Sequence, residues 1–124
     1  MTGPTCLKRA LVVDDSDVMR GFMRFLLEAE GYEVNEVATV ADALALQPAS
    51  YDLLVIDVHL RGGRGTDIVD VLRSRDPRLL ERCILVTGDT VDKLPKDVTV
   101  MQKPVAVKIF INTVRRVKSR QQPA

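Results

Sequence analysis

The chain has 124 residues, of which 46% are hydrophobic and 28% are charged, and its net charge is +1. This length suits one compact domain, and the balance excludes a disordered or fibrous protein. No apolar run approaches the roughly eighteen residues that a membrane span needs, and residues 1–6 lack a signal-peptide pattern. We therefore expect a single cytoplasmic domain over residues 1–124, with a core of about 7–118.

Charge is divided unequally between the two halves. Residues 1–57 hold ten acids and four bases, whereas residues 58–124 hold seven acids and fourteen bases. This asymmetry predicts an acidic site built from the first half and a basic surface on the second. The bases are dispersed and no aromatic platform lies among them, so we expect solvated helix faces and no nucleic-acid partner.

The first strand and the first helix are well marked. The continuous apolar run 10–13 is typical of a strand buried on both faces. A helix follows, with Ser16 or Asp17 as its cap and Gly31 at its end. Apolar residues recur in it at helical spacing, and we expect this stripe to face the core: Val18, Phe22, Phe25, Leu26 and Ala29.

A second strand, a short helix and a third strand complete the first half. Residues 32–38 alternate weakly, as a strand does. Thr39 begins a helix over 40–46, which Pro48 stops. The clearest buried strand in the chain then ends at Asp57.

The second half continues the alternation. Glycines at 62, 63 and 65 predict a flexible loop before a helix that ends near Asp76. Strands are predicted over 83–86 and 98–101, and the polar interval between them, interrupted by Pro95, leaves room for at most a short helix. A last helix carries an apolar stripe of Val107, Phe110, Ile111, Val114 and Val117. Strands alternating with helices predict an α/β fold, a parallel sheet covered on both faces.

Reactive side chains gather at the predicted strand ends. The first strand ends at Asp14 and Asp15, the third at Asp57, the fourth at Thr87, and the fifth leads into Lys103. Carboxyl ends of parallel strands share one rim, where ligands bind. Three adjacent carboxylates stay ionised together only beside a cation, and Mg²⁺ suits oxygen ligands. Each residue alone could be a cap, a turn or a solvated loop, but together they suit phosphoryl transfer to an aspartate.

These motifs resemble the receiver domain of two-component response regulators, over about residues 7–118. The residues that carry the resemblance are Val12-Val13-Asp14-Asp15, Val55-Ile56-Asp57-Val58-His59-Leu60 followed by Gly65, Val86-Thr87-Gly88 and Lys103-Pro104. The resemblance implies a flavodoxin-like (CheY-like) three-layer sandwich with a five-stranded parallel sheet of order 2-1-3-4-5. Lys103 follows Thr87 by sixteen positions, about one and a half helical turns fewer than the family usually has, so the fourth helix is expected to be short or missing.

The same resemblance implies a metal site and a phosphoacceptor. Asp57 would accept the phosphoryl group and share Mg²⁺ with Asp15, which binds it directly, and Asp14, which binds it through water or holds its shell. The backbone carbonyl of His59 would add an oxygen ligand. Thr87 and Lys103 would meet the phosphoryl group, and the peptide bond between Lys103 and Pro104 is typically cis in the family.

A signalling role follows from the resemblance. The phosphoryl group would come from a phosphohistidine of a sensor histidine kinase or a histidine phosphotransfer protein. The domain would not be an enzyme, since it would assist only its own phosphorylation and dephosphorylation. It would signal by contact with an unknown downstream protein, as a monomer or weak dimer, without a nucleic-acid or membrane partner.

Several positions depart from the family pattern. Arg61 replaces the usual proline and is either solvent-facing or a contact for the phosphoryl group or a partner carboxylate. Val100 replaces the aromatic residue that normally reports phosphorylation. His59 and Asp89 occupy positions that tend to tune hydrolysis of the phosphoryl group in the family, or they are surface residues without such a role.

Three alternatives stay open. The first is a degenerate receiver that acts as a phosphorylation-independent interaction module. The second is a hydrolase of the haloacid dehalogenase type, although its second aspartate is here His59. The third is a nucleic-acid binder, which would bind with steep salt dependence.

Overall fold

Strands and helices alternate in the computed structural model, which describes residues 7–88 and 94–121. The strands are β1 (Lys8–Val13), β2 (Tyr32–Val37), β3 (Leu53–Asp57), β4 (His59–Leu60), β5 (Gly63–Arg64), β6 (Cys83–Thr87) and β7 (Thr99–Gln102). The helices are α1 (Asp17–Ala29), α2 (Val40–Ala45), α3 (Gly65–Arg75) and α4 (Val107–Arg120), with 3₁₀ turns at Pro48–Ser50 and Pro77–Arg82. None of the helices in the described ranges is long and apolar enough to cross a membrane.

Five of the strands form one parallel sheet in the order β2-β1-β3-β6-β7. Since β6 and β7 are the predicted fourth and fifth strands, the predicted order 2-1-3-4-5 is confirmed. In the register, Val13 lies beside Ile56 and Asp57 lies beside Val86. The carboxyl ends of β1, β3 and β6 therefore reach the same rim.

The sheet separates two apolar layers. Alternate residues of β1 point to opposite faces, so Leu11 and Val13 join one layer and Ala10 and Val12 join the other. The first layer includes residues of α3, and the second includes residues of α1 and α4. Burial on both faces explains why the central strands are continuous apolar runs rather than alternating ones.

Helix α1 buries a different face from the one predicted. Ser16 caps the helix as expected, since its Oγ accepts a hydrogen bond from the N–H of Met19 at 3.2 Å. The core face of α1, however, is Met23, Leu26 and Leu27. Of the predicted stripe only Leu26 is buried; Ala29 is exposed, and so are Val18 at 80%, Phe22 at 38% and Phe25 at 71%.

Contacts between α1 and β2 fix the orientation of the helix about its own axis. Arg20 donates to Glu36 of β2, and Arg24 also makes an ion pair with Glu36. These arginines flank one side of the buried face, and the aromatic stripe lies on its other side. At the start of α4, Val107 belongs to the predicted apolar stripe but is 44% exposed. It lies in the first turn, beyond the part of α4 that covers the sheet.

The glycine-containing segment after β3, which was predicted as a loop, contains two short strands. It forms a small antiparallel hairpin in which His59 pairs with Arg64 and Leu60 with Gly63. Gly62, in the turn, has a φ of +75° that favours glycine. Gly65 is needed for another reason, because a Cβ there would lie 2.2 Å from the carbonyl oxygen of Asp57.

The interval between β6 and β7 contains no helix over its described residues 94–98. Leu94 and Val98 are nevertheless buried in the core. Arg73 of α3 holds Asp97 through two hydrogen bonds of 2.8 and 2.9 Å, so this short segment is tied to α3. Asp89, predicted to tune hydrolysis, lies outside the described residues.

Candidate functional site

Three carboxylates meet at the carboxyl rim of the sheet. Asp14 and Asp15 follow β1 directly, and Asp57 is the last residue of β3. One carboxylate oxygen from each residue lies within 4.8 Å of the others. Asp14 and Asp57 are only 5% and 6% exposed, and Asp15 is half-buried. The predicted acidic cluster is therefore present, and its donor set is one that a divalent metal ion could bind.

Local hydrogen bonds fix the Asp14 end of the cluster. Asp14 Oδ1 accepts the N–H of Ser16 at 2.9 Å, and the Asp14 carbonyl accepts a hydrogen bond of 2.6 Å from the Arg20 guanidinium. Burial raises the pKa of Asp14, the Ser16 N–H and Lys103 oppose that rise, and the charges of Asp57 and Asp15 add to it. An ionised Asp14 therefore lowers the free energy of unfolding unless a cation lies beside it.

Asp57 is held through both of its carboxylate oxygens. Oδ1 accepts the N–H of His59 at 3.2 Å, and Oδ2 accepts Nζ of Lys103 at 3.1 Å. The backbone N–H of Lys103 in turn donates to the carbonyl of Thr87 at 2.7 Å, which aligns the segment after β7 with the end of β6. The peptide bond between Lys103 and Pro104 is cis, as the family resemblance implied.

Thr87 completes the rim from the neighbouring strand. It ends β6 and is fully buried. Because Asp57 pairs with Val86 in the register, Thr87 lies one residue further along, beside the acidic cluster. Its hydroxyl is a donor of the kind that a phosphoryl oxygen accepts.

All six predicted site residues reach this rim, but two supporting contacts were not predicted. One is the hydrogen bond from Arg20 to the Asp14 carbonyl, which no sequence pattern indicates. The other is the approach of Gly65 to the backbone of Asp57, for which a glycine at a fixed distance from the aspartate was the only signal. Arg61 lies exposed in the hairpin turn, so its predicted contact with a phosphoryl group or a partner stays a prediction.

Comparison with known proteins agrees with the fold. The sequence profile of the response regulator receiver domain matches residues 10–108. The chain is 37% identical over 92 residues to the DNA-binding transcriptional activator DevR/DosR of Mycobacterium tuberculosis, which covers 72% of this chain and 42% of that protein. It is 27% identical over 117 residues to the response regulator receiver protein CpdR of Brucella abortus, or 89% of this chain and 96% of that protein.

A solved structure shows the same likeness in three dimensions. The CheY-like receiver domain protein from Methanospirillum hungatei aligns with a TM-score of 0.78 and 26% identity, covering 94% of this chain and 98% of that one. The chain spans less than half of the transcriptional activator, so only the domain is compared there. The family profile spans most of the chain and the solved structure shares its fold, so the chain belongs to the response regulator receiver domain family.

Proposed function

We propose that this domain accepts a phosphoryl group on Asp57 from a phosphohistidine, with the help of Mg²⁺, and signals through protein contacts. The observation that carries the proposal is the position of Asp57. Its carboxylate lies within 4.8 Å of two further carboxylates and 3.1 Å from the Lys103 ammonium, at a nearly buried rim. Such a site pairs an anionic nucleophile with cationic charge for the transferred group.

In the proposed transfer, a carboxylate oxygen of Asp57 attacks the phosphorus atom. The bond between phosphorus and the donor imidazole nitrogen breaks, its electron pair stays on that nitrogen, and the histidine, already protonated on its other ring nitrogen, leaves as a neutral imidazole. Mg²⁺, held by Asp14, Asp15, Asp57 and the carbonyl of His59, would neutralise charge on the phosphoryl oxygens.

The chain's own residues orient the acceptor and its product. The N–H of His59 holds one oxygen of Asp57 and so fixes the direction of the carboxylate. Lys103 would move from the carboxylate to a phosphoryl oxygen, and Thr87 would donate its hydroxyl to another. Hydrolysis of the acyl phosphate by water would then return Asp57, so the domain assists only its own loading and unloading.

We propose that the phosphodonor protein docks over the exposed stripe of α1. Val18 lies one helical turn beyond Asp15, so the stripe starts at the rim itself. Val18 and Phe25 are largely exposed, and large apolar side chains clustered on a surface mark protein contacts. A sensor histidine kinase or a histidine phosphotransfer protein would place its phosphohistidine over Asp57 while covering this stripe.

Incubation of the full chain with acetyl phosphate and MgCl₂ tests the proposal. Intact mass spectrometry should detect one added phosphoryl group, and peptide mapping after borohydride reduction should locate it on Asp57. Asp57→Asn should abolish the added mass, and EDTA should suppress it. Asp70→Asn, an exposed carboxylate far from the rim, is the matched control and should leave it unchanged.

A phosphorylation-independent interaction module is the second candidate. It is favoured by Val100, a half-buried aliphatic residue that packs on the core where receivers commonly carry an aromatic reporter. Failure of Asp57 to gain phosphate from acetyl phosphate or from any histidine kinase would favour this candidate over the first.

A further inference from the structure

The side chain of Arg20, in the first turns of α1, extends toward the rim rather than into solvent. It is only 14% exposed. Its Nη1 donates to the carbonyl of Asp14 at 2.6 Å, and its Nε donates to Glu36 of β2 at 3.3 Å. Its Nη2 contacts the exposed carboxylate of Asp17. One guanidinium thus connects the end of β1, the strand β2 and the start of α1.

The peptide unit that Arg20 holds joins two of the three clustered carboxylates. Its carbonyl belongs to Asp14 and its N–H belongs to Asp15, and both residues are part of the proposed Mg²⁺ site. Because a peptide unit is planar and rigid, turning it changes ψ of Asp14 and φ of Asp15 together. The hydrogen bond from Arg20 therefore fixes how these two side chains are oriented relative to each other.

Two backbone groups hold other parts of Asp14. Its N–H donates to the carbonyl of Val37 at 3.1 Å, and its carboxylate accepts the N–H of Ser16 at 2.9 Å. Neither bond restrains the carbonyl of Asp14, which moves when the peptide unit turns. The hydrogen bond to that carbonyl comes from a side chain, so a single substitution at Arg20 can remove it and leave the other two in place.

Glu36 of β2 holds Arg20 in this position. Its side chain is 26% exposed and contacts Arg20 through Oε1 and Arg24 through Oε2. A guanidinium carries its donors in a planar fork, so two partners fix its orientation as well as its location. The carboxylates of Glu36 and Asp17 also offset the charge of Arg20, which therefore adds little net positive charge beside the acidic cluster.

We propose that Arg20 is a positioning residue of the rim, which orients Asp14 and Asp15 for Mg²⁺ through its hydrogen bond to the Asp14 carbonyl. This role rests on the Mg²⁺ site of the proposed function. Removing a group that orients metal ligands typically weakens metal binding by roughly 10–100-fold. Charge alone predicts the opposite, because the loss of a cation near the cluster would strengthen the binding of Mg²⁺. The direction of the change therefore separates the two explanations.

The test measures the dissociation constant for Mg²⁺ from the amide shifts of the ¹⁵N-labelled full chain, without a phosphodonor. Arg20→Met should raise this constant about tenfold. Arg20→Lys keeps the charge but lacks the planar fork, so its affinity should lie between those of Arg20→Met and wild type. Arg24→Met is the matched control, since Arg24 lies on the same helix and contacts Glu36 but not Asp14. It should leave the dissociation constant nearly unchanged.

The amide spectrum and the free energy of unfolding in EDTA show whether a variant has merely lost stability. A native Arg20→Met that is less stable but binds Mg²⁺ as tightly as wild type, or more tightly, would overturn the proposal. If Arg20→Met does not fold, Arg20→Lys decides, because wild-type affinity in that variant would leave charge as the only contribution. Failure of the wild-type chain to bind Mg²⁺ would overturn the proposed metal site together with this role. Wild-type binding with unchanged Arg20 variants would overturn only the role of Arg20.

Discussion

Asp14 should destabilise the metal-free domain at neutral pH, and its replacement by asparagine should relieve that cost. Burial holds the pKa of Asp14 above the ordinary value of 3.8 in the folded state. Asp14 therefore keeps its proton to a higher pH in the folded state than in the unfolded state. The contribution of Asp14 to the free energy of unfolding is most favourable at low pH and is lost as the pH rises through the pKa of Asp14 in the folded state. At pH 7 the full loss of stability is therefore present.

The size of the effect follows from the geometry. Asp14 is nearly buried and lies among two further carboxylates, so removing its charge removes both the burial cost and the repulsion. We expect Asp14→Asn to raise the free energy of unfolding at pH 7 in EDTA by about 1 kcal/mol, the usual size of a single-site effect. The asparagine oxygen can still accept the Ser16 N–H, so the local turn is retained.

Mg²⁺ should reverse the order of stability. A ligand that binds only the folded state stabilises it by about 2.7 kcal/mol at one hundred times its dissociation constant. The wild-type chain should gain most of this stabilisation from Mg²⁺. Asp14→Asn should gain much less, because a metal ligand is lost. Urea unfolding with EDTA and with MgCl₂ measures both effects.

A control variant and a pH series complete the test. Asp17→Asn changes a side chain that is 90% exposed and should alter stability by less than about 0.5 kcal/mol in either buffer. Below pH 4 the difference between wild type and Asp14→Asn should shrink. If Asp14→Asn were less stable than wild type at pH 7 in EDTA, the inference of a strained anionic cluster would be wrong.

Three further outcomes are expected. Gly65→Ala should lower the free energy of unfolding by about 2 kcal/mol or more in urea titrations, because its Cβ would lie 2.2 Å from the Asp57 carbonyl oxygen; a neutral result would mean that the backbone shifts easily there. Burial raises the pKa of the Cys83 thiol to about 12. In a Cys6→Ser variant, this thiol should therefore react with Ellman's reagent only upon unfolding. Rapid labelling of Cys83 in the native protein would contradict its burial. Phe25→Ser should leave the free energy of unfolding within about 0.5 kcal/mol of wild type, since the side chain is 71% exposed. It should slow phosphotransfer from a cognate kinase but leave phosphorylation by acetyl phosphate unchanged. Equal slowing with both donors would exclude a docking role for Phe25.

The amino-acid sequence was sufficient to predict the sheet and its reactive rim. Buried parallel strands appear as continuous apolar runs, so β1, β3 and β6 could be located within a residue or two. Each run ends at a carboxylate or a hydroxyl, and parallel strands bring those ends to one edge. The meeting of Asp14, Asp57 and Lys103 therefore follows from topology alone.

Only the tertiary structure decided which surfaces are buried and which are left for partners. The sequence of α1 contains two adjacent apolar stripes, and helical spacing does not rank them; contacts of Arg20 and Arg24 with Glu36 select the face that carries Met23. The sequence of a segment determines which secondary structure it favours, whereas burial depends on neighbours that are distant in the chain. For that reason the rim could be predicted and the exposed face of α1 could not.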